Sequence, residues 1–426
     1  MSDNLAPAIA FGLYDLLWSC ALPWLRLNHR LAEGYQQRTL KAMLPAADIW
    51  IQAASVGESY LALEIIKILS VTADIKILVT SNTSQGVDIL NRSLAEGGEL
   101  NKEIDVSVGY FPFDKPALMY RAVTAIRPAA MVLLETEIWP GLLRALKQED
   151  CTTIIINGRI TDRSLKRYRL WPSIWHRVRP ARVLAISAAD ADRFRQLFGP
   201  DGIETMPNIK FDRIVSSTTL ADNQDTIKNL IPSWLTFAVL ASVRRQEEPL
   251  VKQIIIEILR SRPETVIGLF PRHLHRIQSW QRPLNQAGIQ WTLRSKAKRP
   301  ARAGTVIIWD TFGELLPAYK LCKSAFVGGS LAPLGGQNFL EALVCGIIPV
   351  IGPSWENFIW VGTEIIDSGL LKVAGSWQEA AALLLKDMES PAPRNEIIHQ
   401  SLEYIKERQG GAEKACHAIA ALMEAY

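Results

Sequence analysis

The sequence predicts an α/β protein with two doubly wound, Rossmann-like parallel-sheet domains. The chain has 426 residues, roughly two to three times the length of one typical domain. Short apolar, β-branched runs alternate with helical stretches, and this alternation stops near residue 212 and restarts after residue 232. Runs that are apolar throughout are typical of parallel strands covered by helices on both faces. We therefore expect two successive sheets facing a central cleft.

The apolar runs predict the strands in order. In the first half they cover residues 49–51, 75–79, 131–134, 153–156 and 183–186. In the second half they cover residues 237–240, 266–270, 305–308, 325–327 and 347–351. Helical stretches separate these runs, and the basic run 294–302 is predicted to be a solvated loop.

The segment between the two series is rich in Ser, Thr, Asp and Asn, which predicts a linker. The expected organisation is an N-terminal apolar segment at 1–40, a first domain at 41–215, a linker at 216–232, a second domain at 233–405 and a C-terminal helix at 406–426.

Composition excludes several classes of protein. Hydrophobic residues make up 48% and charged residues 21% of the chain, which excludes a disordered chain and a polytopic membrane protein. The balance of 47 basic and 43 acidic residues gives a net charge of +4, too small to indicate nucleic-acid binding. The five cysteines form no Cys-x-x-Cys pair, and no histidine lies at metal-ligand spacing from them. We therefore expect no zinc site, and we expect the protein to be in a reducing compartment.

Residues 5–27 are mostly apolar but are interrupted by Asp15. They lack the features of a signal peptide, and an acidic residue at mid-span is unfavourable for a helix that crosses a bilayer. Basic residues follow this segment at positions 26, 29, 30, 38 and 41. This pattern favours a helix in one leaflet of an anionic membrane, although an ordinary buried N-terminal helix is the alternative.

Acidic residues follow two predicted strands of the first domain. Glu58 comes after a turn of small residues at 53–57, at the expected first turn of a helix, where a carboxylate suits a general base. Glu135 and Glu137 follow the strand at 131–134 and precede a Trp-Pro helix start. Simple complementarity with the helix dipole is the alternative at both places.

The second domain offers residues suited to anion binding. Arg272 follows a predicted strand and can bind a phosphate in a bidentate manner. Gly313 and the glycine-rich segment 328–336 precede predicted helices, which favours close approach of an anion to backbone N–H groups. The Glu341 carboxylate is suited to bind both hydroxyls of a ribose diol. The segments do not fit the dinucleotide fingerprint, so a nicotinamide cofactor is disfavoured.

Together these motifs resemble a known family, the 3-deoxy-D-manno-octulosonic acid (Kdo) transferases of Gram-negative lipopolysaccharide biosynthesis. The resemblance extends over nearly the whole chain, and its specificity comes from the order of the motifs. They lie at residues 54–58, 110–114, 135–140, 157–159, 208–212, 271–273, 310–315 and 326–331.

The resemblance implies a GT-B glycosyltransferase that inverts the anomeric centre and needs no metal or cofactor. It implies CMP-Kdo as donor on the second domain and a lipid A precursor of the lipid IVA type as acceptor on the first. The implied location is the cytoplasmic face of the inner membrane, as a peripheral or monotopic protein. Glu58 matches the general base, with Glu137 as a second catalytic residue. Expected donor residues are Arg272, His273, Gly313, Glu314, Gln337, Asn338 and Glu341. Expected acceptor residues are Ser55, Gly57, Ser81, Asn82, Thr83, Arg159, Arg163 and Arg167.

Two segments depart from the family pattern. Gln337 stands where a histidine is usual, and a glutamine cannot carry a positive charge. Arg244 and Arg245 also stand in an altered segment and can contact an acidic donor. These changes leave open another ulosonic acid or another nucleotide sugar as donor, and a catalytically silent membrane scaffold is a further alternative.

A basic stretch with interleaved aromatic residues follows residue 159. It contains Arg163, Lys166, Arg167 and Arg169, together with Tyr168 and Trp171. A charge run is usually a solvated helix face, but aromatic residues among the cations favour a surface that binds lipid head groups.

Overall fold

The computed structural model describes residues 5–70, 73–96, 101, 103–218 and 227–424. The chain divides into two compact units. Unit 1 comprises Met1–Arg213 and Arg408–Tyr426, and unit 2 comprises Ile214–Glu407. Residues 219–226 of the predicted linker lie outside the described residues.

Unit 1 is built on a seven-stranded parallel sheet. Its strands are β1 (Ile49–Ala53), β2 (Ile75–Ser81), β3 (Ile104–Tyr110), β4 (Ala130–Leu134), β5 (Thr152–Gly158), β6 (Arg182–Ala185) and β7 (Ile203–Thr205). Their order in the sheet is β3-β2-β1-β4-β5-β6-β7. The sequence analysis did not predict β3 and β7, because edge strands are partly exposed and do not form fully apolar runs.

Eleven helices begin in this part of the chain, counted among the described residues. They are α1 (Leu5–Leu25), α2 (His29–Ala32), α3 (Tyr35–Arg38), α4 (Val56–Ile68), α5 (Ser84–Ala95), α6 (Pro116–Ile126), α7 (Pro140–Gln148), α8 (Asp162–Tyr168), α9 (Pro172–Arg177), α10 (Ala188–Phe198) and α11 (Lys210–Thr218).

Unit 2 repeats this architecture. Its strands are β8 (Phe237–Val243), β9 (Val266–Pro271), β10 (Trp291–Leu293), β11 (Val306–Ile308), β12 (Ser324–Val327), β13 (Pro349–Ile351) and β14 (Lys372–Val373), in the order β10-β11-β9-β8-β12-β13-β14. Its helices are α12 (Glu248–Ser261), α13 (Ile277–Gln286), α14 (Leu315–Leu321), α15 (Leu340–Val344), α16 (Glu364–Asp367), α17 (Trp377–Glu389) and α18 (Arg394–Lys406). The short strands β10 and β14 were not predicted.

Both faces of the unit 1 sheet are buried. Successive residues of β1 alternate between the two cores, with Trp50 in one and Ile49 and Ile51 in the other. The last helix, α19 (Gly411–Glu424), returns to unit 1 and places Ala415 and Ile419 in the second core. The prediction of two doubly wound parallel-sheet domains is therefore confirmed.

Helix α1 contacts unit 1 through polar and aromatic groups. The Tyr14 hydroxyl donates to Asp114 at 2.9 Å, and Asp15 accepts the Ala117 N–H at 3.3 Å. Apolar residues of the same region remain exposed, namely Leu13, Leu16, Leu17, Trp24 and Leu27. Within the described part of the chain, the helices are all too short or too polar to cross a membrane. Membrane association of α1 therefore stays a prediction.

Candidate active site

The acidic motifs of unit 1 meet at the carboxyl ends of the strands of its sheet. Strands β2, β1, β4 and β5 are neighbours, and their carboxyl ends carry Asn82, Glu58, Glu137 and Arg159 respectively. The strand order reverses between β1 and β4. This topological switch point is the usual position of ligand sites in open parallel sheets. Glu58 and Glu137 lie on the two sides of this point.

Glu58 is held firmly at the start of α4. Its carboxylate accepts the Ala54 N–H at 2.6 Å and the Ser55 hydroxyl at 2.9 Å, while the Ser55 oxygen accepts the Glu58 N–H at 3.4 Å. This arrangement is similar to a helix capping box, except that the carboxylate accepts the N–H of Ala54, the residue before the N-cap Ser55. Glu58 is only 8% exposed. Burial, followed by repulsion from Glu137 and Glu135, raises the pKa of Glu58 to about 8.

Glu137 belongs to a buried polar network that the sequence analysis missed. Its carboxylate accepts hydrogen bonds from the Gln52 amide at 3.2 Å and from the Trp139 indole at 2.7 Å. The Gln52 amide also donates to the Asn82 side chain at 3.2 Å. Gln52 is fully buried in β1, and a lone polar residue in an apolar strand was the available sequence signal.

Glu135 has a different environment. Its backbone has a positive φ of 53°, and its carboxylate pairs with the Lys210 ammonium at 2.5 Å. Three carboxylates therefore lie near the switch point, and a lysine pairs directly with Glu135. The role of Lys210 was not predicted, because 75 residues separate it from Glu135.

The predicted acceptor residues separate into two groups. Ser81 is fully buried and accepts the Thr83 N–H at 3.4 Å, and the Thr83 hydroxyl caps α5 by accepting the Gly86 N–H at 3.1 Å. These two side chains shape the turn around Asn82. Gly57 is exposed beside Glu58.

The remaining predicted acceptor residues extend along α8. The Arg159 carbonyl accepts the Thr136 hydroxyl, which joins this segment to the Glu135–Glu137 motif. Arg163 and Arg167 are exposed on α8, and Trp171 beyond it is 52% exposed. The two arginines and the Trp171 indole are therefore all accessible to solvent.

In unit 2, the predicted donor residues also follow neighbouring strands. Strands β11, β9, β8 and β12 lie side by side, and their carboxyl ends lead to Gly313, Arg272, Arg244 and the glycine-rich segment. His273 stacks on His275 with ring centroids 5.5 Å apart. Partial burial, Arg272, Arg244 and His275 lower the pKa of His273, so a concentration of positive charge surrounds this ring.

The glycine-rich segment does not offer all its N–H groups to a ligand, which corrects one expectation from the sequence. The fully buried Glu247 carboxylate accepts the N–H groups of Gly329, of Ser330 at 3.2 Å and of Leu331 at 3.3 Å. It also accepts the Arg244 N–H at 2.9 Å. An internal carboxylate thus occupies the position in which we expected an external anion. Glu247 was missed because its partners in the glycine-rich segment are more than 80 residues away.

Glu314 has a positioning role in the structure. Its carboxylate forms a bidentate pair with Arg294, at 2.8 Å for each bond, and accepts the Trp309 indole at 2.7 Å. Arg294 is therefore not part of a solvated loop. Gly313, which precedes Glu314, is exposed with a φ of 81°, and space around its Cα is open. This turn can approach a ligand closely.

Asn338 and Glu341 lie together at the start of α15. The Asn338 amide donates to the Glu341 carboxylate at 2.8 Å, which orients that carboxylate. Gln337 donates to the Gly336 carbonyl at 2.9 Å and lies close to Gly329. The structure therefore brings the predicted residues of the glycine-rich segment together.

Removing the Glu247 carboxylate is expected to destabilise unit 2. In Glu247→Ala, four backbone N–H groups lose their acceptor, and the free energy of unfolding is expected to fall by about 3–5 kcal/mol. Urea unfolding measures this change. Glu264→Ala is the control, because the Glu264 side chain is 48% exposed. Equal, small losses in both variants would contradict a role for Glu247 in holding the loop.

Comparison with known proteins shows a similarity to one family. Residues 26–213 match the family model described as 3-deoxy-D-manno-octulosonic-acid transferase (kdotransferase). The Kdo transferase of Haemophilus influenzae is 26% identical over 94% of this chain and 92% of its own length. The Bordetella pertussis enzyme is also 26% identical, over 96% of each protein.

Solved structures show the same fold. UDP-GlcNAc 2-epimerase from Neisseria meningitidis aligns with a TM-score of 0.57 at 10% identity, over 89% of this chain and 100% of its own. This likeness supports a GT-B-type fold, which consists of two parallel-sheet α/β domains. The family-model match over residues 26–213 and the similarity to Kdo transferases over nearly the whole chain together indicate a glycosyltransferase that resembles the Kdo transferases.

Proposed function

We propose that this enzyme transfers Kdo from CMP-Kdo to a lipid A precursor of the lipid IVA type, with inversion at the anomeric carbon. The observation that carries the proposal is the buried Glu58 carboxylate, which two hydrogen bonds hold at the switch point of unit 1. A general base must be fixed in place and have a pKa near the working pH, and Glu58 meets both conditions.

In the proposed reaction, Glu58 removes the proton from an acceptor sugar hydroxyl. The hydroxyl oxygen then forms a bond to the anomeric carbon of Kdo, and the bond from that carbon to the CMP phosphate oxygen breaks. Glu137 has a supporting role, because its negative charge raises the pKa of Glu58 and makes it a stronger base. Gln52 and Trp139 keep the Glu137 carboxylate oriented.

Donor binding is assigned to unit 2. The positive charges of Arg244 and Arg272, beside the His273 ring, suit the phosphate of CMP and the carboxylate of Kdo. The Glu341 carboxylate, which Asn338 orients, suits the ribose diol. A monophosphate leaving group carries limited charge, so in this proposal arginines and backbone dipoles stabilise it without a metal ion.

Binding of the acceptor and contact with the membrane are assigned to unit 1. A lipid A precursor combines phosphorylated sugars with acyl chains, and unit 1 presents cations on α8 and apolar residues on α1. This combination suits a peripheral or monotopic protein on an anionic membrane surface. The proposed location is the cytoplasmic face of the inner membrane, in lipopolysaccharide core biosynthesis.

Glu58→Gln is expected to lower kcat by about 10²–10⁴-fold, because an amide cannot accept the proton. Transfer of Kdo from CMP-Kdo, generated in the assay, to a tetra-acylated lipid A precursor measures the change. Glu64→Gln is a matched control, since Glu64 lies on the same helix and is also 8% exposed. Activity that survives in Glu58→Gln would show that another carboxylate is the base.

The pH dependence follows from the same carboxylate. Only ionised Glu58 accepts a proton, so kcat/KM is expected to rise with pH up to about 8 and then level off.

The raised pKa of Glu58 also means that the folded state binds this proton more tightly than the unfolded state. Glu58 therefore makes stability fall as pH rises from 4.5 to about 8, and Glu58→Gln removes this fall.

Nucleotide competition tests the donor against the alternative of another nucleotide sugar. CMP is expected to inhibit transfer and to bind in calorimetry at least tenfold more tightly than UDP. Arg272→Ala is expected to weaken CMP binding by about tenfold, because a charge-assisted hydrogen bond is lost. Tighter binding of UDP would favour the alternative donor.

Membrane binding tests the basic surface on α8. Arg163 and Arg167 lie one turn apart, and reversing both charges is expected to weaken binding to anionic vesicles by about tenfold or more. CMP binding in unit 2 is expected to be unchanged. The control is a double variant of unit 2, Arg260→Glu with Lys298→Glu, which changes the net charge of the protein by the same amount. Unchanged vesicle binding in the α8 variant would contradict this role.

A further inference from the structure

An apolar cavity of about 430 Å³ lies beside α1 in unit 1. One wall is formed by α1, including Leu17, Trp18 and Ala21, and the facing wall includes Phe111 and Phe113. Ligand pockets of small molecules typically have volumes of about 300–1,000 Å³ and are lined mainly by apolar and aromatic side chains with a few polar groups. The cavity fits this description.

The polar groups of the cavity connect it with the candidate active site. Asn82 and Trp139 both line it, and both join the hydrogen-bond network of Gln52 and Glu137. Arg38 also lines it, and its guanidinium donates to the Asn82 carbonyl at 2.9 Å. The apolar space therefore ends at side chains that bond to Gln52 and Glu137, and the charge of Glu137 acts on the proposed base Glu58.

The α1 wall of the cavity continues into an exposed apolar surface. Leu17 lines the cavity and is nevertheless 67% exposed. Leu17 and Tyr14 also line a second apolar cavity of about 330 Å³ that includes Trp171. Exposed basic residues Arg26 and Arg30 follow α1. An amphiphile with an apolar chain and an anionic head group matches this distribution of apolar surface and positive charge.

We propose that the cavity beside α1 binds one hydrocarbon chain of the lipid acceptor and so places the acceptor sugar at Glu58. The inference rests on the proposed function, because it requires a lipid acceptor. Filling the cavity with methylene groups removes apolar surface from water, and this free energy is available only to an acylated acceptor. The cavity thereby selects acylated over deacylated sugars.

Filling the cavity from α1 tests this inference. Ala21→Trp is expected to raise the Kd of the tetra-acylated precursor at least tenfold and to leave the Kd of the deacylated sugar phosphate unchanged. Calorimetry in detergent micelles measures both. Leu16→Trp is the matched control, because Leu16 lies on the same helix, is 59% exposed and does not line the cavity. Ala21→Met fills the cavity less and serves if the larger variant does not fold.

The other outcomes overturn the inference in distinct ways. Equal affinity of Ala21→Trp and Leu16→Trp for the acylated precursor would exclude a chain in the cavity. Weakened binding of Ala21→Trp to phosphatidylglycerol vesicles, with unchanged precursor binding, would assign the cavity to bulk membrane lipid instead. Failure of the proposed function is separate, since a wild-type protein that binds the precursor but transfers no Kdo would contradict the reaction and not the binding site.

Discussion

Buried carboxylates that accept backbone N–H groups organise the loops at the carboxyl ends of the strands in both sheets. Glu58 accepts the Ala54 N–H in unit 1, and Glu247 accepts four N–H groups in unit 2. The loops that follow parallel strands contain N–H groups without strand partners, and leaving them unpaired in a buried place is costly. An acidic side chain satisfies them and fixes the loop. The roles proposed for both units depend on this fixed geometry.

Different surroundings give the carboxylates of unit 1 different properties. Glu135 pairs with a lysine, whereas Glu58 is buried near other negative charges, which raises its pKa to about 8. Glu137 keeps its orientation through two hydrogen bonds. Environment therefore separates three residues of similar chemistry into a carboxylate paired with a lysine, a carboxylate oriented by two hydrogen bonds and a candidate base.

Helix α1 combines two surfaces that serve different purposes. Tyr14 and Asp15 bond to unit 1, while Leu13, Leu16 and Trp24 remain exposed. A helix that is both attached to the domain and apolar on its outside suits an enzyme whose acceptor is a lipid. The cavity beside it connects this apolar surface with the polar network around Glu137.

From local patterns alone, the sequence predicts the two parallel sheets and the position of Glu58, because fully apolar strands and a glutamate at a helix start are recognisable without any distant contact. It did not reveal β3 and β7, which lie at sheet edges and are partly exposed. Only the tertiary structure showed that Glu247 holds the glycine-rich segment, that Arg294 pairs with Glu314 and that Gln52 orients Glu137. These contacts join residues on different strand ends. They depend on the order of strands in the sheet, which differs from their order in the chain.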